Sequence, residues 1–317
     1  MKQQSLVTRR GVLAAGLSGS VLSGLSAYGQ QETVQPPAQE NAKRVLRFAH
    51  LTDTHVLDAR HADEGFAQCL QHVQAQEDAP ELIVFGGDNV MNVDSEDGSK
   101  TADQQLAVWN RVVEQECSLP HKYVVGNHDI LKMDPVDGKQ WAVDAYGLDH
   151  RFYHFDQAGW RFIVLDSTSP QEGGGYKGRL DEEQFDWLRE TIESTPETTP
   201  ICLISHIPIL AACAYFDGNN EESGDWCVPG AWMHLDARKL KGLFYENPNV
   251  RLSISGHIHL VDTVEYLGVK YACNGAVSGG WWHGPNQEFK PGYALVDLYE
   301  DGTSNVEYVP YGWIAKD

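Results

Sequence analysis

Five short polar segments, each placed directly after a strand-like apolar run, constrain the fold of this 317-residue chain more than any other feature. The central segment is Gly126-Asn127-His128-Asp129, which follows the run 122–125. The other four repeat the pattern: Asp53-Thr54-His55, Gly87-Asp88-Asn89, Ser205-His206 and Gly256-His257-Ile258-His259. In open α/β sheets, ligands bind in the crevice outside the carboxyl ends of the strands. We therefore expect the Asp, Asn and His side chains of these segments to converge.

The spacing of the apolar residues predicts a layered α/β domain. In the first half, strands are predicted at 45–51, 81–85 and 122–125, with helices at 63–77 and 101–117 between them. This order is typical of right-handed crossovers. The second half is richer in strands, with a hairpin over 152–165, a helix that opens at Asp181, buried strands at 201–204 and 251–255, and a β-rich end over 264–310. We predict one domain of two stacked sheets with helices outside.

The charge of the chain restricts its partners. The formal net charge is -21, from 24 Lys and Arg against 45 Asp and Glu. This excess of acid argues against nucleic acid as a partner, because phosphate backbones recruit Lys and Arg. An anionic substrate would need local positive charge, which bound metal ions would supply. No cluster of arginines stands near the motifs.

Residues 1–29 have the features of an export signal. Arg9 and Arg10 precede a weakly apolar stretch rich in Ala, Gly, Leu and Ser, with small residues near Ala27 where a peptidase could cut. The paired arginines are typical of a twin-arginine signal, which predicts a periplasmic or secreted protein with no stable membrane insertion after signal removal. A transmembrane anchor is the alternative, but the segment is short and rich in Gly and Ser. Residues 30–43 are predicted to be a flexible linker and 44–317 the folded domain.

The six cysteines show no C-x-x-C spacing, which argues against a zinc site built from thiolates. In an exported protein disulfides can form, and Cys213 and Cys227 flank one loop, so they are the predicted pair. Cys69 lies within a helical pattern and Cys202 within an apolar strand. Both are predicted to be small buried hydrophobes.

The side chains at the predicted strand ends suit two neighbouring metal ions, which need oxygen and imidazole ligands and one bridging carboxylate. Two pairs have i, i+2 spacing, so both members can face the same side of an extended segment. Any one of these motifs alone would be weak evidence, since a single Asp-x-His in a loop is usually solvated surface. Their joint occurrence at strand ends favours a metal centre. The candidate ligands are Asp53, His55, Asp88, Asn127, His206, His257 and His259.

This series of motifs resembles the calcineurin-like metallophosphoesterase family over about residues 45–273. The resemblance implies a four-layer α/β/β/α sandwich with a dinuclear centre at the sheet edges. It also implies that Asp88 bridges the metals, that Asp53, His55 and His259 hold one of them, and that Asn127, His206 and His257 hold the other. Asn89 and Val90 stand where the purple acid phosphatase branch has a tyrosine ligand, which argues against an Fe(III)-tyrosinate site. The two divalent ions would be Mn, Fe, Zn or Ni, among which the sequence does not choose.

The predicted activity is hydrolysis of a small phosphoester, in the first place a phosphodiester. Two divalent ions would bind the phosphoryl oxygens and lower the pKa of a bridging water, whose hydroxide would attack phosphorus in line. His128 is predicted to assist the leaving group and Asp129 to orient its imidazole, although His128 could instead only brace the loop. Phosphomonoester hydrolysis, pyrophosphate cleavage in nucleotide conjugates and a non-catalytic metal-binding module are the alternatives, while the charge disfavours a nuclease.

Four side chains are candidates for substrate binding: Trp226 in the insertion 209–234, and the run Trp281-Trp282-His283. Aromatic rings beside a phosphate site could stack on a nucleobase or a sugar, or they could pack the rim of the site and the second sheet. Asp166 is predicted either to bond a ligand histidine or to cap a loop. The sequence does not indicate the oligomeric state.

Overall fold

Two β-sheets pack face to face in the computed structural model, which describes residues 42–93 and 98–316, without the side chains of 98–100. The predicted export signal (1–29) and the linker up to residue 41 lie outside the described residues. The strands and helices, numbered in chain order, are β1 Arg44–Leu51, α1 Ala62–Gln74, β2 Leu82–Phe85, α2 Gly98–Glu116, β3 His121–Tyr123, α3 Asp137–Ala145, β4 Tyr153–Gln157, β5 Trp160–Leu165, β6 Thr168–Pro170, β7 Tyr176–Gly178, α4 Glu182–Glu193, β8 Ile201–Ser205, α5 Ala237–Glu246, β9 Val250–Ser255, β10 Asp262–Tyr266, β11 Val269–Cys273, β12 Gly292–Tyr299 and β13 Ser304–Pro310.

The first sheet has five strands in the order β13-β12-β1-β2-β3, and the second has six in the order β10-β11-β9-β8-β5-β4. Strands β1, β2 and β3 run parallel to one another, as do β5, β8, β9 and β11. The inner faces of both sheets are apolar and form one buried layer, in which Phe48 of β1 meets Phe162 of β5 edge-on at 5.6 Å. Because the parallel strands of each sheet end at a common edge, their carboxyl ends bring distant parts of the chain together.

Helices cover the outer face of each sheet. Helix α1 presents Phe66 and Leu70 at helical spacing, and Phe66 stacks on Trp109 of α2 at 4.7 Å between ring centroids. Helices α4 and α5 cover the second sheet through side chains such as Leu188 and Phe244. These layers confirm the predicted α/β/β/α sandwich. Among the described residues, no helix is both long and apolar enough to cross a bilayer.

Local signals placed most of the elements correctly. Asp181 was expected to open a helix, and its carboxylate accepts a hydrogen bond of 2.9 Å from the backbone N–H of Gln184 as the N-cap of α4. The predicted hairpin forms from β4 and β5, which turn through Ala158 and Gly159, both at positive φ. Helix α1 ends at Gln74 rather than at residue 77, and the third strand pairs only over His121–Tyr123.

The predicted pairing of Cys213 with Cys227 disagrees with the structure. Cys213 is buried, whereas Cys227 is exposed, and the thiol of Cys227 lies 3.9 Å from the hydroxyl of Ser223. Both are free thiols. Symmetrical placement around a loop was a poor guide because the insertion folds Cys213 inward, against Cys273 of β11.

Candidate metal centre

All five polar segments meet at one edge of the sandwich. In the first sheet, Asp53 and His55 follow β1, Asp88 follows β2 and Asn127 follows β3. In the second sheet, His206 follows β8, and His257 and His259 follow β9. Except for the partly exposed His257, all of these side chains are nearly or completely buried. The convergence expected from the sequence is therefore present.

Asp53, His55 and His259 form the first group. The Nε2 atoms of the two histidines are 3.1 Å apart, and Asp53 Oδ1 lies 3.3 Å from His259 Nε2 and 3.9 Å from His55 Nε2. Two imidazole nitrogens and a carboxylate oxygen thus point at one position. This is a donor set suited to a divalent transition metal.

Asp88, His206 and His257 form the second group, whose candidate ligand atoms lie within 4.8 Å of one another. Asp88 Oδ2 is 3.2 Å from His206 Nε2 and 3.7 Å from His55 Nε2 in the first group. Asp88 Oδ2 thus approaches a histidine of each group, as a bridging ligand needs, and Asp53 Oδ1 also lies 3.8 Å from His206 Nε2 in the second group.

Buried polar atoms without partners show that these residues fit a cation. Asp53 Oδ1, His206 Nε2 and Asn127 Oδ1 are all inaccessible to solvent and make no hydrogen bond. Burying such atoms unpaired is costly, so native proteins normally satisfy them. Because they belong to the residues that converge here, divalent metal ions would supply the missing partners.

Backbone carbonyls orient the histidine rings. His206 Nδ1 lies 2.9 Å from Gly86 O, His259 Nδ1 lies 2.7 Å from Gly279 O, and His257 Nε2 lies 3.1 Å from Ala231 O. A neutral imidazole that donates its one N–H to a carbonyl has its lone pair on the other nitrogen. His206 and His259 thus present Nε2, and His257 presents Nδ1, in the way that carbonyl partners fix the tautomer of metal-binding histidines.

Strained backbone accompanies the candidate ligands. Five of them have φ in the left-handed region, with values of 54°, 46°, 52°, 73° and 59° for Asp53, His55, Asp88, His257 and His259. Such conformations persist only where surrounding contacts impose them, and they cluster at functional sites. The contacts here include a hydrogen bond of 3.0 Å from Asp53 N to Gly87 O and one of 2.8 Å from His257 N to Asp53 Oδ2.

The motif glycines are explained by close packing. A Cβ on Gly126 would lie 2.1 Å from both the backbone nitrogen and Oδ1 of Asp88, and a Cβ on Gly256 would lie 2.1 Å from Thr52 Oγ1 and 2.4 Å from Asp53 Oδ2. No side chain fits at either position without displacing a candidate ligand. The segments from different strands can therefore approach one another only because these residues are glycine.

The charges at the centre act mainly on His206. Burial alone would lower its pKa, but the Asp88 and Asp53 carboxylates outweigh burial and raise the pKa to about 9. The pKa of His257 is lowered to about 3 by burial and by the neighbouring His206. The buried carboxylates thus hold positive charge beside them, as they would hold a cation.

His128 lies at the mouth of the centre. It lies in a short 3₁₀ helix, Asn127–Asp129. Its Nδ1 is 2.5 Å from the carbonyl oxygen of Met91, and its Nε2 is 3.8 Å from Asp88 Oδ2. Its side chain is 29% exposed, so Nε2 is reachable by a substrate. Its backbone N–H donates to Asp88 Oδ1 at 2.8 Å.

The structure corrects the predicted role of Asp129, which does not contact the His128 imidazole. Its carboxylate is completely buried and accepts hydrogen bonds from Gly126 N at 2.9 Å, Asn89 N at 3.1 Å and the Tyr146 hydroxyl at 2.7 Å. Adjacent residues in the tight turn point in different directions, so the side chain next to His128 faces the interior. Asp129 braces the loops, and the Met91 carbonyl orients His128 instead.

The aromatic candidates separate into exposed and buried side chains. Trp281 is 41% exposed, and its ring centroid lies 4.6 Å from that of His259. Trp226 is 55% exposed and meets Tyr215 edge-on at 5.5 Å in the insertion, and His283 is exposed. Of these three exposed side chains, Trp281 contacts a candidate ligand.

Trp282 was also expected to bind substrate, and this is wrong, because it is 1% exposed. Its indole Nε1–H donates to the carbonyl oxygen of His55 at 2.9 Å, and its ring packs on Gly65 of helix α1. Trp282 therefore supports the loop that carries His55.

Tyr176 is a residue at the site that the sequence analysis missed. It begins β7, and its ring meets that of His257 edge-on at 6.0 Å. Burial, followed by the charges of Asp88 and Asp53, raises its pKa. The only signal in the sequence was the preceding run Gly173-Gly174-Gly175, which marked a turn but not its direction.

Of the two roles left open for Asp166, the structure favours bracing a loop. Its carboxylate binds Lys139 at 2.6 Å and Arg151 at 2.9 Å and accepts a hydrogen bond from Thr168 N at 3.2 Å. It makes no contact with a candidate ligand histidine. Other groups therefore orient the candidate ligand histidines.

A site of histidines and carboxylates at the strand ends of an α/β/β/α sandwich defines a class, the metal-dependent phosphoester hydrolases. The family model for calcineurin-like phosphoesterases matches residues 46–261, which is more than half of the chain. The protein belongs to this family.

Proteins of known or assigned activity are similar to this chain. The chain is 22% identical over 285 residues to a 3',5'-cyclic adenosine monophosphate phosphodiesterase (CpdA) from Haemophilus influenzae, covering 84% of this chain and 90% of that protein. It is 23% identical to a probable glycerophosphodiester phosphodiesterase (GpdQ) from Arcobacter nitrofigilis, covering 62% of each. A solved dimetal phosphatase from Danio rerio is similar in fold, with a TM-score of 0.60 and 16% identity over 85% of this chain and 97% of that one.

Proposed function

We propose that this protein is a phosphodiesterase with two divalent metal ions, acting on a small phosphodiester such as a cyclic nucleotide or a glycerophosphodiester. The observation that carries the proposal is the position of Asp88 between two donor groups, with Oδ2 3.7 Å from His55 Nε2 and 3.2 Å from His206 Nε2. One group would be completed by Asp53 and His259, and the other by Asn127 and His257. Metals that fit imidazole, amide and carboxylate donors include Mn, Fe, Zn and Ni.

When bound, the cations would supply positive charge to the phosphoryl oxygens and lower the pKa of water. The chain's own groups would handle the proton transfer. Met91 O accepts the Nδ1 proton of His128, which leaves Nε2 as the atom that takes up or gives a proton at the mouth of the site. Protonated at Nε2, His128 would donate to the leaving oxygen of the ester.

The choice of a diester rests on charge. In the part of the chain that the structure describes, the ion pairs of Asp53 and Asp88 are all with histidines, and no lysine or arginine joins them. A monoester dianion needs more positive charge than a diester monoanion. The names of the relatives, one a cyclic AMP phosphodiesterase and one a probable glycerophosphodiester phosphodiesterase, support the same choice.

The exposed aromatic side chains would select the alcohol groups of the substrate. Trp281 covers His259 and offers a ring face to a nucleobase or sugar, and Trp226 and His283 would contribute from the rim. This assigns substrate contact to three of the four residues predicted from the sequence.

The test is a comparison of initial rates on bis(p-nitrophenyl) phosphate and p-nitrophenyl phosphate, with the protein loaded with Mn(II). The proposal predicts faster turnover of the diester and loss of turnover in Asp88→Asn, which retains the shape of the side chain. Faster turnover of the monoester would make the protein a phosphatase. If neither is cleaved, a panel of nucleotide pyrophosphates separates a specialised pyrophosphatase from a metal-binding module without activity.

We also propose that residues 1–29 direct twin-arginine export to the periplasm or the medium. The support is the pair Arg9-Arg10 before the weakly apolar stretch. Replacing both with lysine should leave the protein in the cytoplasm of an expressing bacterium, as followed by fractionation. Unchanged export of that variant would contradict the proposal.

A further inference from the structure

Two thiols lie together beneath the rim of the metal centre. Cys213 begins a short 3₁₀ helix in the insertion, Cys213–Tyr215, and Cys273 is the last residue of β11. Both are in one small apolar cluster with Ile258 and Leu260, close in sequence to the candidate ligand His259. Cys213 is 7% exposed and Cys273 is completely buried. The sequence separates them by 60 positions, so only the fold brings them together.

Independent contacts fix this juxtaposition. The backbone N–H of Cys213 donates to Asp262 Oδ2 at 2.7 Å, and Asp262 stands directly opposite Cys273 in the β10–β11 ladder. The neighbouring Cys213 side chain, followed by burial, raises the pKa of Cys273. Cys227, the partner predicted from the sequence, is exposed.

We propose that Cys213 and Cys273 are a disulfide site, which closes under oxidising conditions and fastens the insertion to the second sheet. The proposed export explains where such conditions would be met, but the bond itself depends only on the contact between the two thiols. A cross-link between residues far apart in sequence restricts the unfolded chain, so the oxidised protein should be the more stable form.

The chemistry needs a disulfide donor, such as oxidised glutathione or a thiol–disulfide oxidase. Cys213 reacts first because it is the less completely buried of the two residues. Its thiolate attacks one sulfur of the donor, forming a mixed disulfide and releasing one thiolate. The thiolate of Cys273 then attacks Cys213 Sγ, forming the protein disulfide and releasing the second thiolate. The two protons lost by the cysteines are taken up by the two leaving thiolates, and the donor is reduced as the protein is oxidised.

The bond would restrain groups at the metal centre. The insertion that begins near Cys213 also carries Ala231, whose carbonyl accepts from His257 Nε2 at 3.1 Å. On the other side, Cys273 Sγ donates to Gly256 O at 3.3 Å, next to His257. Oxidation removes the S–H of Cys273 and with it this hydrogen bond, while the disulfide ties the insertion that carries Ala231 to β11, so it should make the rim more rigid.

Peptide mapping tests the assignment without any use of activity. The full chain is incubated with oxidised glutathione, unfolded with iodoacetamide present, and digested with trypsin and a glutamate-specific protease. Cleavage after Glu221 or Glu222 separates Cys213 from Cys227, and fragment spectra distinguish Cys213 from Cys202. We expect a cross-linked pair containing Cys213 and Cys273, with Cys227 alkylated. A Cys213–Cys227 cross-link, or alkylation of both Cys213 and Cys273, would overturn the proposal.

Melting curves give a second measurement with a matched control. The wild type and Cys227→Ser should both melt at a higher temperature when oxidised than when reduced, whereas Cys213→Ser should melt at the same temperature in both states. If Cys213→Ser does not fold, Cys213→Ala keeps the apolar character of the site and serves in its place. A redox shift that persists without Cys213, or is lost without Cys227, would contradict the assignment. Absence of phosphodiesterase activity would not affect either result.

Discussion

The Nδ1 atom of His128 lies 2.5 Å from the carbonyl oxygen of Met91, and this contact sets what His128 can do. The carbonyl can only accept, so the proton of a neutral ring is held at Nδ1, and Nε2 faces the metal centre 3.8 Å from Asp88 Oδ2. The ring is thus prepared for proton transfer at Nε2 before any substrate arrives.

Replacing His128 with Ala should lower kcat by roughly 10²- to 10⁴-fold, the usual contribution of a general acid or base. The metal content should not change, because His128 belongs neither to the group of Asp53, His55 and His259 nor to the group of Asp88, His206 and His257. Steady-state kinetics and elemental analysis of the same sample measure both effects. His154→Ala, on the exposed edge strand β4, is the control for loss of a histidine. Loss of metal from His128→Ala would instead make His128 a ligand, as its approach to His55 and Asp88 permits.

Gly65→Ala should disturb the metal centre from a distance. A Cβ at Gly65 would lie 2.2 Å from the Trp282 ring, and Trp282 Nε1 holds the carbonyl of His55. Overpacking of this kind costs about 1–3 kcal/mol, and we expect lower stability in urea and weaker Mn(II) binding. Gly242→Ala is the matched control, since nothing lies within 4 Å of its added Cβ in helix α5. That change should stabilise the protein by up to about 1 kcal/mol. Equal behaviour of the two variants would contradict this account of Trp282.

Tyr176→Phe should affect substrate binding more than folding. The ring stands against His257, and burial together with the charges of Asp88 and Asp53 raises the pKa of the hydroxyl, so we expect it to stay protonated and to donate to a substrate oxygen. Loss of one such hydrogen bond, worth about 0.5–1.5 kcal/mol, should raise KM for a diester roughly 2- to 12-fold. Unfolding in urea and metal content should match the wild type. Unchanged kinetics would show that the hydroxyl does not reach the substrate.

Trp281→Ala should weaken binding only of substrates with a ring. Stacking on an aromatic side chain contributes about 1–3 kcal/mol per base, so KM for cyclic AMP should rise by roughly fivefold or more. Dimethyl phosphate has no ring to stack and provides the control within the same experiment. A similar loss for both substrates would mean that Trp281 supports His259, on which it packs, rather than the substrate.

The sequence was informative wherever function depends on strand ends. The positions of Asp53, Asp88, Asn127 and His206 follow from a polar residue at the end of an apolar run, and the α/β/β/α layers follow from the same runs. These signals are local, and parallel strands carry them to a common edge.

Side-chain direction in tight turns could not be predicted. Asp129 faces inward beside the outward-facing His128, and Trp282 is buried beside the exposed Trp281. Neighbouring residues point in different directions, and their composition does not reveal which one faces the site. The contact of Cys213 with Cys273 was likewise invisible, because it depends on how a 26-residue insertion folds onto a distant strand.

If two metal ions share Asp88, each chain binds two of them, and the number of metal ions per chain can be measured. The full chain is saturated with Mn(II), freed of excess metal and analysed by mass spectrometry for metal against protein. We predict two equivalents for the wild type, about one for His259→Ala, which removes a donor from one group alone, and fewer than two for Asp88→Asn. One equivalent in the wild type, or two in Asp88→Asn, would contradict the shared carboxylate.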